Sequence, residues 1–289
     1  MKYFYYPGCS LQGTAMEYHI ATKAIMAALV VDLHEIDDWT CCGASAAEAV
    51  NSLLSLALPA RNLALAELAD SHCDVVIPCS ACFLNLKRVE VKIREDAGLL
   101  GRLNEVLEVE GLSYSGSLKS RHLLDVLAHD LGADMIASHL KRDLASLQVA
   151  PYYGCQCLRP YGDYDDPEQP HSMELLIRAL GAAVFPWTVA AKCCGAGLMT
   201  TKKEVALELT GAILAAARGA DCIVTVCPMC QMNLESAQRK ISRLRGEKLS
   251  IPVLYLPQLI GVALGLSAEA LKLQANMIPA CSLLTKVAG

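Results

Sequence analysis

Ten of the 14 cysteines in this 289-residue chain fall into one ordered pattern that occurs twice. The first copy is Cys9, then Cys41-Cys42-Gly43, then Cys79-Ser80-Ala81-Cys82. The second is Cys155, Cys193-Cys194-Gly195 and Cys227-Pro228-Met229-Cys230. Equivalent elements lie 146, 152 and 148 residues apart, so each copy takes up about half the chain. Thiolates in such sets are ligands for soft metals. A structural zinc ion takes four ligands, and five thiols per half leave one over. The ferredoxin spacing for cubane clusters, three close cysteines and a fourth followed by proline, is absent. Each half instead draws ligands from three separate loops, one of which supplies two neighbours, and this points to iron–sulfur binding in both halves. In an extended strand adjacent cysteines face opposite sides. Cys41-Cys42 and Cys193-Cys194 can therefore serve one centre only if the backbone turns there or one thiolate bridges two irons; Gly43 and Gly195 fit the turn.

The residues between these loops read as alternating strands and helices. A short aromatic strand, residues 2–6, ends at Pro7-Gly8-Cys9, and an alanine-rich helix spans about residues 14–31. A short element at 32–36 leads into the turn before Cys41. A long helix is expected over 46–69, interrupted near Pro59. Residues 73–78 form a buried-strand signature that ends on Cys79, and 85–97 reads as helix. The second half repeats the order: strand 149–153, helix 172–180, strand 183–185, helix 202–218, strand 221–226, then strand 253–256 and helix 258–264. This is an α/β organisation with ligands at the carboxyl ends of strands, where open α/β sheets place their sites. Residues 99–147 carry Ser-Gly turns at 113–117, then read as helical from Leu118 towards Leu131 and from Asp134 to Leu144. They suggest a connecting or partner-facing insertion, and exposed apolar surface either over Leu118–Leu144 or in the C-terminal tail is the expected docking face. The expected domains are 1–147 and 148–289.

Composition narrows the function classes. Hydrophobic residues make up 54% and charged residues 19%, which excludes disorder. A net charge of −5 argues against a nucleic-acid binder, whose contacts to the phosphate backbone need a basic field. Met1 runs directly into the first Cys turn without a signal-peptide pattern, and no apolar stretch reaches 18 residues. These features predict a cytoplasmic protein without a membrane span, where 14 cysteines suit metal better than disulfides. No Gly-x-Gly-x-x-Gly fingerprint is present, so direct use of a nicotinamide or flavin is not expected.

The segments Tyr6-Pro7-Gly8-Cys9, Cys41-Cys42-Gly43-Ala44, Pro78-Cys79-Ser80-Ala81-Cys82, Tyr153-Gly154-Cys155, Cys193-Cys194-Gly195-Ala196 and Cys227-Pro228-Met229-Cys230 carry a resemblance. With the late run from Tyr255 to Leu266, the chain resembles the cysteine-rich (CCG) subunit of heterodisulfide reductase, a family of methanogens and bacterial relatives. The resemblance covers nearly the whole chain. It implies two pseudo-symmetric, Rossmann-like α/β domains from an internal duplication, each with a small parallel sheet and helices. It also implies two non-cubane 4Fe–4S clusters close together: Cys9, Cys41, Cys42, Cys79 and Cys82 on one, Cys155, Cys193, Cys194, Cys227 and Cys230 on the other. The implied activity is reduction of a disulfide to two thiols, such as the coenzyme M–coenzyme B heterodisulfide or a bacterial equivalent, by one-electron steps. The implied partners are a ferredoxin-like protein with cubane 4Fe–4S clusters and, through it, a flavin-bearing protein or another electron donor. The alternative is a non-catalytic electron-transfer subunit of a dehydrogenase or quinone-linked complex. The family pattern usually has His after the Gly-Cys of the second half, where this chain has Gln156.

Residues beside the cysteines are weighed by position. Lys192, directly before Cys193, and Arg159, four residues after Cys155, are candidates to stabilise a reduced centre or bind an anionic substrate group, against solvated surface residues. His19, Trp39 and Trp187 are expected to pack. Cys73 and Cys222 begin buried strands and read as core, Cys281 carries no signal, and Cys157 is weighed between packing and a place in the cleft.

Overall fold

The computed structural model describes residues 1–287. Two four-stranded parallel sheets, one in each half, carry the chain. The first half runs β1 (Lys2–Tyr5), α1 (Met16–Ala28), β2 (Asp32–Glu35), α2 (Ala46–Val50), α3 (Ser52–Ala69), β3 (Val75–Ile77), α4 (Ser80–Glu95), α5 (Leu99–Leu107) and β4 (Ser120–His122). A link of α6 (Leu123–Asp125), a π-helical turn (Val126–Leu131) and α7 (Gly132–Ala137) follows. The second half runs β5 (Gln148–Tyr152), α8 (Ser172–Ala179), β6 (Ala183–Val184), α9 (Lys203–Ala216), β7 (Cys222–Thr225), α10 (Pro228–Ser236), α11 (Gln238–Arg245), β8 (Val253–Tyr255), α12 (Leu256–Ala263) and α13 (Cys281–Val287). Strand orders β2-β1-β3-β4 and β6-β5-β7-β8 are the same topology twice. The duplication read from the cysteines is thus a duplicated α/β domain. Parallel strands need crossovers, and helices of 13 and 14 residues (α1, α9) supply cover for the sheets.

The alternation of side chains along the second sheet joins the halves. Val149, Tyr153, Cys222, Val224 and Leu254 enter the same core as Tyr5, Ile25, Val76 and Leu86 of the first half. Ala150, Tyr152, Ile223 and Val253 face a separate core against α9 and α10. Tyr18 of α1 stacks on Tyr255 at the end of β8, ring centroids 4.1 Å apart and nearly parallel, a contact worth about 0.5–1.5 kcal/mol beyond burial.

Four expectations are corrected. The segment after Leu118 is not helical at its start, because Ser120–His122 pairs in parallel with Val75–Ile77 and completes the first sheet. The apolar residues of this segment offer no docking face: Leu118, Leu123, Leu124, Val126, Leu127, Leu131, Ile136 and Leu144 are buried. The long helix breaks at Asn51, whose side chain accepts from the Leu54 amide at 3.0 Å as an N-cap, while Pro59 lies inside α3. The helix expected from residue 85 begins at Ser80, immediately after Cys79, and a corresponding helix starts at Pro228.

Candidate metal centres

β1, β3, β5 and β7 each end within a few residues of Cys9, Cys79, Cys155 and Cys227, so the strands fix where these loops begin. In the first half Cys41 Sγ lies 3.9 Å from Cys9 Sγ, and Cys42 Sγ lies 3.5 Å from Cys82 Sγ. Cys79 interacts with Cys82, closing a set of five. In the second half Cys194 Sγ and Cys230 Sγ are 3.6 Å apart, and Cys155 interacts with Cys193 and Cys227. The ten cysteines named from spacing are therefore gathered five and five. The buried polar scaffold around them is also duplicated. Tyr6 donates to Thr40 O at 2.7 Å and Tyr152 to Lys192 O at 2.6 Å, each tying a strand end to the residue before Cys-Cys-Gly. Trp39 and Trp187 pack edgewise on these two rings.

The backbone comes close to the sulfurs where glycine stands. A Cβ built at Gly8 would lie 2.7 Å from Cys82 Sγ, and one at Gly154 3.0 Å from Cys230 Sγ; both glycines have positive φ, +73° and +72°. Only glycine holds such a turn without strain or displacement of the sulfur.

All five second-half thiols line a cavity of about 450 Å³. Its opposite wall comes from the first half: Ala44, Ser45 and Glu48 after the first Cys-Cys-Gly, and Ala81, Leu84, Asn85 and Arg88 of α4. This is room for a group much larger than one ion, a water molecule's share of liquid being about 30 Å³. Among the described residues, no three His, Cys, Asp or Glu side chains form a site for a single metal ion. An all-sulfur donor set around a volume of this size fits an iron–sulfur core.

The thiols of each set share protons unevenly. Cys42 is pulled down, first by its hydrogen bond with Cys41 and then by that with Cys82, against its burial. Cys194 is pulled down, first by its hydrogen bond with Cys230. Their partners Cys82 and Cys230 are pushed up accordingly. Each Cys-Cys-Gly thus presents one buried thiol predisposed to be a thiolate, the form that binds metal. The two sets abut. The Tyr18 hydroxyl is 3.0 Å from Pro78 O and 3.3 Å from Val226 O, and Ser80 Oγ donates to Val226 O at 3.1 Å. Pro78 and Val226 directly precede Cys79 and Cys227, so the two Cys-x-x-Cys turns lie side by side.

Lys192 is exposed, as is Cys193 beside it, on the wall of a second cavity of about 640 Å³ that also includes Arg159. The Arg159 guanidinium is committed to Pro167 O at 3.0 Å, Glu168 at 2.9 Å and Ala191 O at 2.5 Å, and so clamps the acidic loop to the approach of Cys193. In that loop Asp165 accepts from the His171 and Ser172 amides at the start of α8. Asp163 reaches Lys87 of the first half at 3.3 Å. Cys157 is fully buried and donates to Tyr153 O at 3.2 Å, off the cavity wall. Cys73 and Cys222 are buried as expected, and the side chain of Cys281 lies outside the described residues. His19 packs on Tyr5, 3.2 Å from its hydroxyl. Gln156, at the family's usual His position, lines the cavity.

Sequence reasoning missed Asn85, Asn233, Arg88 and Glu48. The two asparagines carried a signal, for they stand 148 residues apart, the same offset as Cys79 and Cys227. Arg88 and Glu48, paired at 3.0 Å, carried none, because only folding sets them against the other half's thiols.

Comparison with known proteins agrees with this duplication. The model of the CCG cysteine-rich domain matches residues 3–87 and again 149–235. The 8-methylmenaquinol:fumarate reductase membrane anchor subunit of Wolinella succinogenes is 38% identical over 98% of this chain and 99% of its own. One subunit of the ferredoxin/F420H2-dependent CoB-CoM heterodisulfide reductase of Methanosarcina acetivorans is 30% identical over 97% of this chain and 95% of its own. The crystal structure of a hypothetical protein from Helicobacter pylori shares the fold, with a TM-score of 0.78 at 14% identity over 96% of this chain and 52% of that one. Among the described residues no helix is long and apolar enough to cross a membrane. With its Cys-Cys-Gly sets matched in both halves, the chain belongs to the CCG cysteine-rich domain family.

Proposed function

We propose that the chain is the iron–sulfur subunit of an oxidoreductase that reduces a disulfide to two thiols, with two non-cubane 4Fe–4S centres. The observation that carries this reading is the cavity in which five thiols of one half meet residues of the other. The centre itself would occupy part of that cavity, and Asn85 and Arg88 of the other half put polar groups at its wall that a bound disulfide could use. In the reaction R–S–S–R′ takes up two electrons and two protons, its S–S bond breaks, and two thiols leave. When bound, the centres would supply electrons singly and a soft metal for sulfur. Cys9, Cys41, Cys42, Cys79 and Cys82 would hold one, and Cys155, Cys193, Cys194, Cys227 and Cys230 the other.

The chain's other residues shape the site. Gly8 and Gly154 leave space at the sulfurs, and Tyr6 and Tyr152 hold the ligand loops in register. Arg88, held by Glu48, presents a guanidinium at the cavity, and Lys192 offers a cation beside Cys193 for an anionic group. Arg159 acts by positioning the loop that borders Cys193. Electrons would come from a ferredoxin-like partner, itself fed by a flavin-bearing protein or another donor, in the reducing cytoplasm.

The fumarate reductase relative at 38% identity favours a second reading, an electron-transfer subunit of a quinone-linked complex. The two separate in one experiment: anaerobically purified protein is given a reduced viologen and a panel of disulfides, and thiol release is measured. Stoichiometric thiol release that Cys194→Ala abolishes supports the first reading. Rapid oxidation of the dye by an artificial acceptor, with no thiol released from any disulfide, supports the second.

A further inference from the structure

Two buried carboxamides stand at equivalent places behind the Cys-Cys-Gly turns. Asn85 lies in the second turn of α4, three residues after Cys82, and is 4% exposed. Its Nδ2 is 2.9 Å from Ala44 O, 3.2 Å from Cys42 O and 3.5 Å from Cys42 Sγ. Asn233 lies three residues after Cys230 in α10 and is 3% exposed. Its Nδ2 donates to Cys194 O at 2.8 Å and to Thr210 Oγ1 at 2.9 Å, and Thr210 itself donates to Cys194 O at 2.8 Å. Packing alone does not require an amide here, since burying its polar atoms costs free energy unless each finds a partner. Asn233 Oδ1 in fact has none. The feature common to both sites is an N–H donor aimed at the buried cysteine of the doublet. Asn85 also lines the cavity of the second thiol set, so one side chain touches Cys42 and faces the other centre's room.

We propose that Asn85 and Asn233 are a matched pair of positioning residues whose side-chain N–H groups hold Cys42 and Cys194 as ligands and raise the reduction potential of each centre. This rests on the reading that each thiol set holds an iron–sulfur centre. An N–H donor near a ligating thiolate stabilises the more negative, reduced state, so hydrogen bonds to cluster sulfurs move potentials upward. Asn85 has the direct contact with sulfur and the shared cavity wall, whereas Asn233 works chiefly through the Cys194 carbonyl. Loss of Asn85 therefore has the larger effect on its own centre.

The test is a potentiometric titration of the full chain, purified anaerobically, followed by electron paramagnetic resonance, with iron and acid-labile sulfide counted on every sample. Asn85→Leu is expected to keep wild-type iron while one centre moves to a more negative potential. Asn233→Leu is expected to move the other centre, by less. Asn85→Asp and Asn233→Asp keep the shape and replace the donor by an acceptor, so they carry the test if the leucine variants lose iron; a negative shift with filled sites is again expected. Filled sites with both potentials unchanged in the Asp variants would overturn the proposal. Wild-type protein purified without iron or sulfide would remove the underlying reading as well, and the metal count tells the two failures apart.

Discussion

The two halves share topology, strand order and five cysteines, yet they treat their thiols differently. In the first half Asn85 reaches the Cys42 sulfur itself at 3.5 Å, whereas in the second Asn233 donates to the Cys194 carbonyl at 2.8 Å. After the first Cys-x-x-Cys one helix of 16 residues runs on, and its side chains Leu84, Asn85 and Arg88 reach the second half's cavity. After the second, the corresponding helix is interrupted between Ser236 and Gln238. The ends of β4 and β8 differ as well. His122 is fully buried and shares a hydrogen bond with Ser80 at 3.2 Å, whereas Tyr255, in the matching place, stacks on Tyr18 and approaches Gln231. Both halves keep the five cysteines, then, while the residues around each set differ and make one half a wall of the other's cavity.

The sharpest way to break this comparison is to remove one ligand from each half. Cys42→Ala and Cys194→Ala should each lose roughly half of the bound iron and sulfide, leaving the opposite centre's spectrum intact. Loss of all iron in either variant would mean that the sets are not independent sites.

A difference in pH response comes next. His122 Nδ1 accepts from the Leu124 amide, and burial pushes the ring's pKa down to about 3 from 6.5. The unfolded chain then binds the extra proton between those values, so stability falls as pH drops from 6.5 towards 3. The slope should approach about 1.4 kcal/mol per pH unit for this one group. His122→Asn, which can still cap Leu124, should flatten that limb in denaturant titrations, and an unchanged limb would exclude His122 as its source. The second half has Tyr255 at this place and contributes no such titration there.

Gly8→Ala and Gly154→Ala compare the sulfur turns directly. Each should destabilise by about 1–3 kcal/mol through the positive φ and the crowded sulfur. The Gly8 change should be the larger, because its new Cβ comes nearer its sulfur, 2.7 Å against 3.0 Å. Thermal or urea unfolding of the iron-free proteins reads this order. Smallest is Tyr18→Phe, which keeps the stack on Tyr255 but removes the hydroxyl shared by Pro78 and Val226. It should cost about 1 kcal/mol with full iron retained in both halves.

Much of this was legible before folding. Thiol order alone grouped ten cysteines five and five, and the apolar runs ending at Cys79 and Cys227 identified the strands that deliver two of their loops. Ser120–His122 escaped notice because three residues with polar side chains carry no strand periodicity, and only pairing with Val75–Ile77 creates the strand. Asn51 hid inside a continuous helical pattern, where Pro59 was the more obvious breaker; a cap satisfied by one side chain outweighed it. Arg159 drew attention through its place near Cys155, but its charge is spent on loop carbonyls and Glu168. The residues that face a site from another element, such as Arg88 and Glu48, leave no local trace in sequence.

The central claim is that ten thiols hold two iron–sulfur centres. Anaerobic purification of the full chain, followed by iron, zinc and acid-labile sulfide analysis, tests it most directly. The account predicts roughly eight iron and eight sulfide ions per chain, with no stoichiometric zinc. Zinc without sulfide, or iron sufficient for one centre alone, would contradict it.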